Sequence, residues 1–139
     1  MSKILFTDVF GETHELIPSF TTYQSTKYTH YAPKMALQFS VKSDDFYEPY
    51  GTLTVNLPGT LPFHNYAFVD CNNWHNVEQL LKYNFCEDTG LRQVSGFVTY
   101  PLWKFSREWL HQIGGDKYRE YWLDWLRWKH EIENKEDTK

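Results

Sequence analysis

Hydrophobic and polar residues alternate most strictly at Met35, Leu37, Phe39 and Val41, and that period of two predicts a half-buried strand. Gly51 to Leu57 repeats the pattern, with Leu53, Val55 and Leu57 on one face and Thr52, Thr54 and Asn56 on the other. Ser43-Asp44-Asp45 and Glu48-Pro49 supply turn chemistry between the two runs, so they predict an antiparallel hairpin. Ahead of them, Lys3 to Val9 and Thr13 to Ile17 flank Phe10-Gly11-Glu12 and predict an N-terminal hairpin that Pro18 stops. Ser19 to Pro33, polar and carrying Tyr23, Tyr28 and Tyr31, reads as a long loop. Tyr66 to Val69 is a short apolar strand, Thr89-Gly90 reads as a turn, and Val94 to Tyr100, ended by Pro101, reads as the last strand.

A period near 3.6 appears in three places. Val77, Leu80 and Leu81 sit at helical spacing, which predicts a helix from about His75 to Tyr83 with Asn72 or Asn73 as its cap. Ser106 is an N-cap for a short helix that turns Trp109, Leu110 and Ile113 inward and ends at Gly114-Gly115. Asp116 caps a longer helix to about Glu133. On it Tyr118, Tyr121, Trp122, Trp125, Leu126 and Ile132 share one arc, with Trp128 at its edge. Leu123 falls on the opposite, charged arc among Arg119, Glu120, Asp124, Arg127 and Glu131. The order of elements predicts an α+β fold: an antiparallel sheet of at least four strands, one internal helix and two C-terminal helices. Leu37, Phe39, Leu53, Val55, Phe68, Val69, Phe97, Val98, Trp122 and Trp125 are its expected core.

The 139 residues suit a single domain: a sheet region over 3–105, a Trp-rich helical extension over 106–133 and a frayed tail over 134–139. Aromatic side chains make up 19% of the chain, more than a small core needs, so some are expected to form a contact surface. No apolar run approaches the length of a membrane span, the N-terminus lacks a signal pattern, and Cys71 and Cys86 are read as free thiols; together these predict a cytoplasmic protein. Residues 1–100 hold 6 basic and 10 acidic side chains, while residues 101–139 hold 8 of each. Neither segment has the basic excess that duplex DNA attracts, so no duplex binding is expected.

The chemistry-bearing residues favour structural roles. Cys71, beside Asp70 and near His64 and His75, has the residue types of a thiol nucleophile with a base. Catalysis would need a histidine within hydrogen-bond reach and a pocket that lowers the thiol pKa, and no local signature surrounds this cysteine. Cys71, His75 and Cys86 lack a fourth zinc ligand at matching spacing, even with His64 offered from a loop. Asp70, Asn72 and Asn73 are residue types that bond their own backbone and build turns. Lys104, Arg107, Arg127 and Lys129 interleave with tryptophans in the manner of a single-strand binder, but intervening acids cancel the charge. The expectation is a non-enzymatic protein without metal or cofactor.

Three blocks, Gly51-Thr52-Leu53-Thr54-Val55-Asn56-Leu57-Pro58, Phe68-Val69-Asp70-Cys71-Asn72-Asn73 and Ser95-Gly96-Phe97-Val98-Thr99-Tyr100-Pro101-Leu102, resemble an uncharacterised small-domain family common on mobile elements and phages of Gram-positive bacteria. The resemblance covers about residues 35–105, and 3–105 more loosely. It implies a mobile-element setting, in which small acidic proteins often inhibit a host defence system of the CRISPR or restriction type. The expected function is protein binding for counter-defence, the partner being a host protein or a second copy met through the C-terminal helix. Trp109, Leu123, Arg127 and Trp128 are the expected contact residues, since Trp and Arg anchor interfaces and Leu123 interrupts a polar face. The alternatives are a nucleic-acid-associated accessory protein and a homodimeric structural module.

Overall fold

A computed structural model describes residues 3–23 and 32–137, with side chains through Asn134. Two four-stranded antiparallel sheets carry the fold. The first has β1 (Ile4–Thr7), β2 (Thr13–Thr22), β3 (Met35–Ser43) and β4 (Phe46–Thr52) in sequential order. The second runs β5 (Thr54–Val55), β6 (Tyr66–Val69), β8 (Val98–Phe105) and β7 (Cys86–Ser95), which leaves β7 on its edge. A 3-10 helix, Val77–Tyr83, lies between β6 and β7, and α1 (Arg107–Gly114) and α2 (Asp116–Asp137) close the chain. The α+β expectation therefore holds, with an internal helix and a C-terminal pair.

The alternating run at Met35 becomes β3, and Asp44, with φ of 53°, turns it into β4. Pairing continues to Phe39↔Gly51 and Gln38↔Thr52, and the Leu53 N–H then donates to the Leu37 carbonyl at 2.8 Å. Beyond that point the second alternating run leaves the first sheet: Thr54 and Val55 pair with Val69 and Phe68 as β5. One strip of chain thus joins both sheets around a shared core that includes Leu37, Phe39, Leu53, Val69, Leu80, Trp103, Phe105 and Leu110. Trp74 fills one end of it, edge-on to Phe6, Phe39 and Tyr50 at 5.2, 5.7 and 5.3 Å, with its Nε1 donating to the Thr52 carbonyl. Gly51 makes room, since a Cβ there would sit 3.2 Å from the Trp74 ring.

Several expectations need correction. Pro18 does not end a strand, and Ser19 to Thr22 are not loop: β2 runs through to Thr22, while residues 24–31 of the expected loop, Tyr28 and Tyr31 included, lie outside the described residues. The Tyr23 N–H donates to the Lys34 carbonyl, so in this register Pro18 takes a non-hydrogen-bonded position opposite Phe39. On its other side the pairing with β1 begins at Ile4, opposite Leu16, so among the described residues the missing N–H costs no ladder bond. The helix expected from His75 is the 3-10 helix, and its cap position is Asn76 in the left-handed region rather than Asn72 or Asn73.

Val94 to Tyr100 is not one strand. Gly96, with φ of 62°, and Phe97 form a two-residue loop joining β7 to β8, the geometry in which glycine leads a tight hairpin turn. Phe97 is consequently at a tip in water rather than in the core, and Val98 is only half-buried. Val55, Phe68 and Trp122 are half-buried as well, and Leu126 is exposed.

Ser106 caps α1 as expected, its Oγ accepting from the Trp109 N–H at 3.3 Å. Gly115, with φ of 51°, breaks the chain between the helices. Tyr118, Tyr121 and Trp125 pack inward, where the first two meet Phe20 of β2 at 5.6 and 5.5 Å. Burial along α2 stops at Trp125, although the helix continues past Glu133 to Asp137.

Candidate functional site

The four expected contact residues do not form one surface. Trp109 is buried, its ring stacked on Phe85 at 4.2 Å and near-parallel to Phe105 at 6.3 Å, so it belongs to the core. Leu123 is 45% exposed on the outer side of α2, and Arg127, one turn on, hydrogen-bonds Asp124 at 3.0 Å. Trp128 is half-buried against Trp125 at 5.8 Å. At 100° per residue it lies about 140° around the helix from Leu123. Leu123, Arg127 and the exposed Leu126 share the outer face, and Trp128 does not.

Three further exposed apolar side chains lie on β7 and its loop to β8. Leu91 (58%), Val94 (67%) and Phe97 (109%) are all exposed on this one hairpin. Its edge strand is bulged between Asp88 and Arg92, where Gly90 takes a φ of 86°. The bulge is built from side chains. Asp88 accepts the Gly90 N–H at 2.9 Å and grips the Arg92 guanidinium with both oxygens, at 2.9 and 2.8 Å. Those hydrogen bonds hold the Asp88 carboxyl below the usual carboxylate range. Thr89 donates to the Leu102 carbonyl at 2.7 Å and accepts the Leu91 N–H at 3.2 Å, tying the bulge to β8. The sequence signal for this element was Thr89-Gly90 followed by Gly96: glycines inside strand-like runs mark bulges and turns.

The opposite edge is managed differently. The Tyr83 hydroxyl accepts from the Leu5 N–H at 2.8 Å and donates to its carbonyl at 3.0 Å. The Gln79 amide does the same for Thr7, at 2.8 and 3.0 Å. The 3-10 helix thereby caps β1, whereas β7 keeps its outer side and its apolar tip in solvent.

Both thiols and His64 take unreactive settings. Cys71 is half-buried, with its Sγ 3.4 Å from the Thr99 carbonyl, and burial raises its thiol pKa, the wrong direction for a nucleophile. Burial pushes the Cys86 thiol up to about 12. His64 is fully buried, hydrogen-bonded through Nε2 to the Tyr118 hydroxyl at 2.7 Å and stacked on Trp122. Burial lowers its pKa to about 4. Asp70 accepts the Asn73 backbone and side-chain N–H groups at 3.2 and 2.7 Å, the turn role its residue type implies. Among the described residues, Cys71, His75 and Cys86 are not gathered as metal ligands; Asp8, Glu12 and His14 are.

No helix among the described residues is long and apolar enough to cross a membrane. A family model described as a Domain of unknown function (DUF4313) matches residues 22–125. The match includes the β7–β8 hairpin and runs through α1 to Trp125, past the limit at Phe105 to which the sequence motifs reach. Neither the curated proteins nor the solved structures yield a match.

Proposed function

The chain belongs to the family described as a Domain of unknown function (DUF4313), and from that premise we propose that it is a non-enzymatic protein-binding module whose β7–β8 hairpin is the docking element. The observation that carries this reading is an apolar tip held in solvent by a purpose-built bulge. Leu91, Val94 and Phe97 are each more than half exposed, and the Asp88–Arg92 clamp fixes the strand that bears them. Burying Phe97 alone on a partner would contribute about 1.5–3 kcal/mol. The raised thiol pKa of Cys71 and the buried, neutral His64 support the non-enzymatic half of the reading. The resemblance to mobile-element proteins supports counter-defence as the role, with a host restriction or CRISPR effector as the class of partner. Leu123, Leu126 and Arg127 on α2 form a second, smaller contact face.

The test is capture from a bacterial lysate by the tagged chain, in wild-type form and in two double variants. Val94→Ser with Phe97→Ser should abolish retention of the partner, while Leu123→Ala with Leu126→Ala should reduce it less. Equal retention by wild type and the hairpin variant would refute the assignment. Counter-defence is tested separately: expression in cells with an active restriction or CRISPR system should raise phage plating. Unchanged plating against every such system would remove that role.

A further inference from the structure

We propose that Asp8, Glu12 and His14 form a binding site for one divalent transition-metal ion, best matched by zinc, at the tip of the β1–β2 hairpin. The site is separate from the β7–β8 surface and stands or falls independently of it.

The hairpin register brings the three residues together. β1 and β2 pair through Phe6↔His14 and Thr7↔Thr13, and the Asp8 N–H then donates to the Glu12 carbonyl at 2.8 Å. Gly11, with φ of 85°, makes the tight return, its N–H donating to the Asp8 carbonyl at 3.0 Å. The Asp8 carboxylate is fixed in orientation, because its Oδ1 accepts the Phe10 and Glu12 N–H groups at 2.9 Å each. Its Oδ2 is left pointing at His14 Nε2, 2.9 Å away. The His14 ring is backed by Tyr50 at 5.1 Å, so two of the three groups are held before any ion arrives.

The ligand atoms of all three residues lie within 4.8 Å of one another. Ligands at about 2.0–2.2 Å around a tetrahedral ion are separated by about 3.3–3.6 Å, so the Asp8–His14 pair must widen from 2.9 Å, with an ion replacing the proton between them, and the exposed Glu12 side chain must turn in to close the set. Among the described residues neither carboxylate is paired with lysine or arginine; the ion pair of Asp8 is with His14. Two carboxylates and an imidazole nitrogen are a donor set for zinc and its neighbours, whereas calcium and magnesium favour all-oxygen sets. Three protein ligands leave a position for water or for a group from another molecule.

The experiment is calorimetric titration of the full chain, stripped with chelator and exchanged into metal-free buffer, with zinc, magnesium and calcium chlorides in turn. One equivalent of zinc should bind, and Glu12→Gln and His14→Gln should each weaken it at least about tenfold. Circular dichroism should show both variants folded, since Glu12 is exposed and Gln at position 14 can still donate to Asp8. His111→Gln, at an exposed histidine elsewhere, should leave binding unchanged. Zinc affinity weaker than about 1 mM would overturn the proposal. So would zinc binding that is equal in wild type, Glu12→Gln and His14→Gln, or magnesium or calcium binding as tight as zinc.

Discussion

Replacing Gly114 by Ala tests how closely the helical pair is pressed on the first sheet. Helix propensity alone argues for stabilisation, since Ala is favoured over Gly by at most about 1 kcal/mol in a helix. Packing argues the other way. A Cβ at position 114 would lie 2.8 Å from the Tyr118 Cβ and 2.9 Å from the Phe20 Cβ. Neither contact can be relieved by turning a side chain, because both atoms are fixed to their backbones. Either α1 and α2 must spread or the pair must lift from β2, against the buried Phe20–Tyr118 contact at 5.6 Å. Overpacking of this kind costs about 1–3 kcal/mol, so the net expectation is a loss of about 1–2 kcal/mol. Urea unfolding followed by tryptophan fluorescence reads this as a lower midpoint with an unchanged slope. Gln112→Ala, an exposed site on the same helix, should shift the midpoint by no more than about 0.5 kcal/mol. A Gly114→Ala protein as stable as wild type, or more so, would mean that α1 does not press on Phe20.

Two further outcomes are expected. His64 stays neutral in the folded protein down to about pH 4 against a reference of 6.5; the unfolded chain therefore binds more protons in that window, and stability should fall by up to about 3 kcal/mol as pH drops through it. A urea midpoint that is flat between pH 7 and about pH 4.5 would contradict a buried neutral imidazole. Gln79→Ala removes both hydrogen bonds to Thr7 and should cost about 1–2 kcal/mol; hydrogen exchange at the Thr7 amide should accelerate, and unchanged protection would show that the edge is covered by something else.

Much of the fold was legible because its signals are local. The strict alternation from Met35 to Val41 became β3, and Ser106 and Gly115 bracket α1 as their residue types imply. The arc of Tyr118, Tyr121 and Trp125 is buried because i, i+3 and i+7 positions share a helix face. The misreadings have the opposite character, since each turned on a non-local partner. Pro18 is tolerated in β2 because it takes a non-hydrogen-bonded position opposite Phe39, a register that nothing near Pro18 announces. Thr89-Gly90 has the chemistry of a turn, and here it makes a bulge, because β8 runs alongside and carries the pairing past it. Phe97 is large and apolar and falls in a strand-like run from Val94 to Tyr100, which made it an expected core residue; the two-residue loop at Gly96 instead puts it at the tip. The metal-ligand triad was equally hidden, because Asp8, Glu12 and His14 meet only through hairpin register.

The aromatic surplus leads to the same hairpins. Sequence reasoning assigned the excess rings to the C-terminal helices, yet Trp74, Trp103, Trp109, Tyr118, Tyr121 and Trp125 are all buried. The exposed rings are elsewhere: Phe10 in the β1–β2 turn, Phe46 and Tyr47 just after the β3–β4 turn, and Phe97 at the β7–β8 tip. A hairpin end contributes little to a core, so an apolar ring there is not explained by packing. The three sites differ in how they are supported. β4 carries Pro49, which blunts its edge against pairing, and β1 is capped by Tyr83 and Gln79. At β7 the bulge limits strand addition, while the Asp88–Arg92 clamp still presents Leu91, Val94 and Phe97. That combination disfavours indiscriminate edge pairing and favours side-chain recognition as the proposed use of the surface, which is why Phe97 rather than the edge backbone is the residue on which the docking proposal turns.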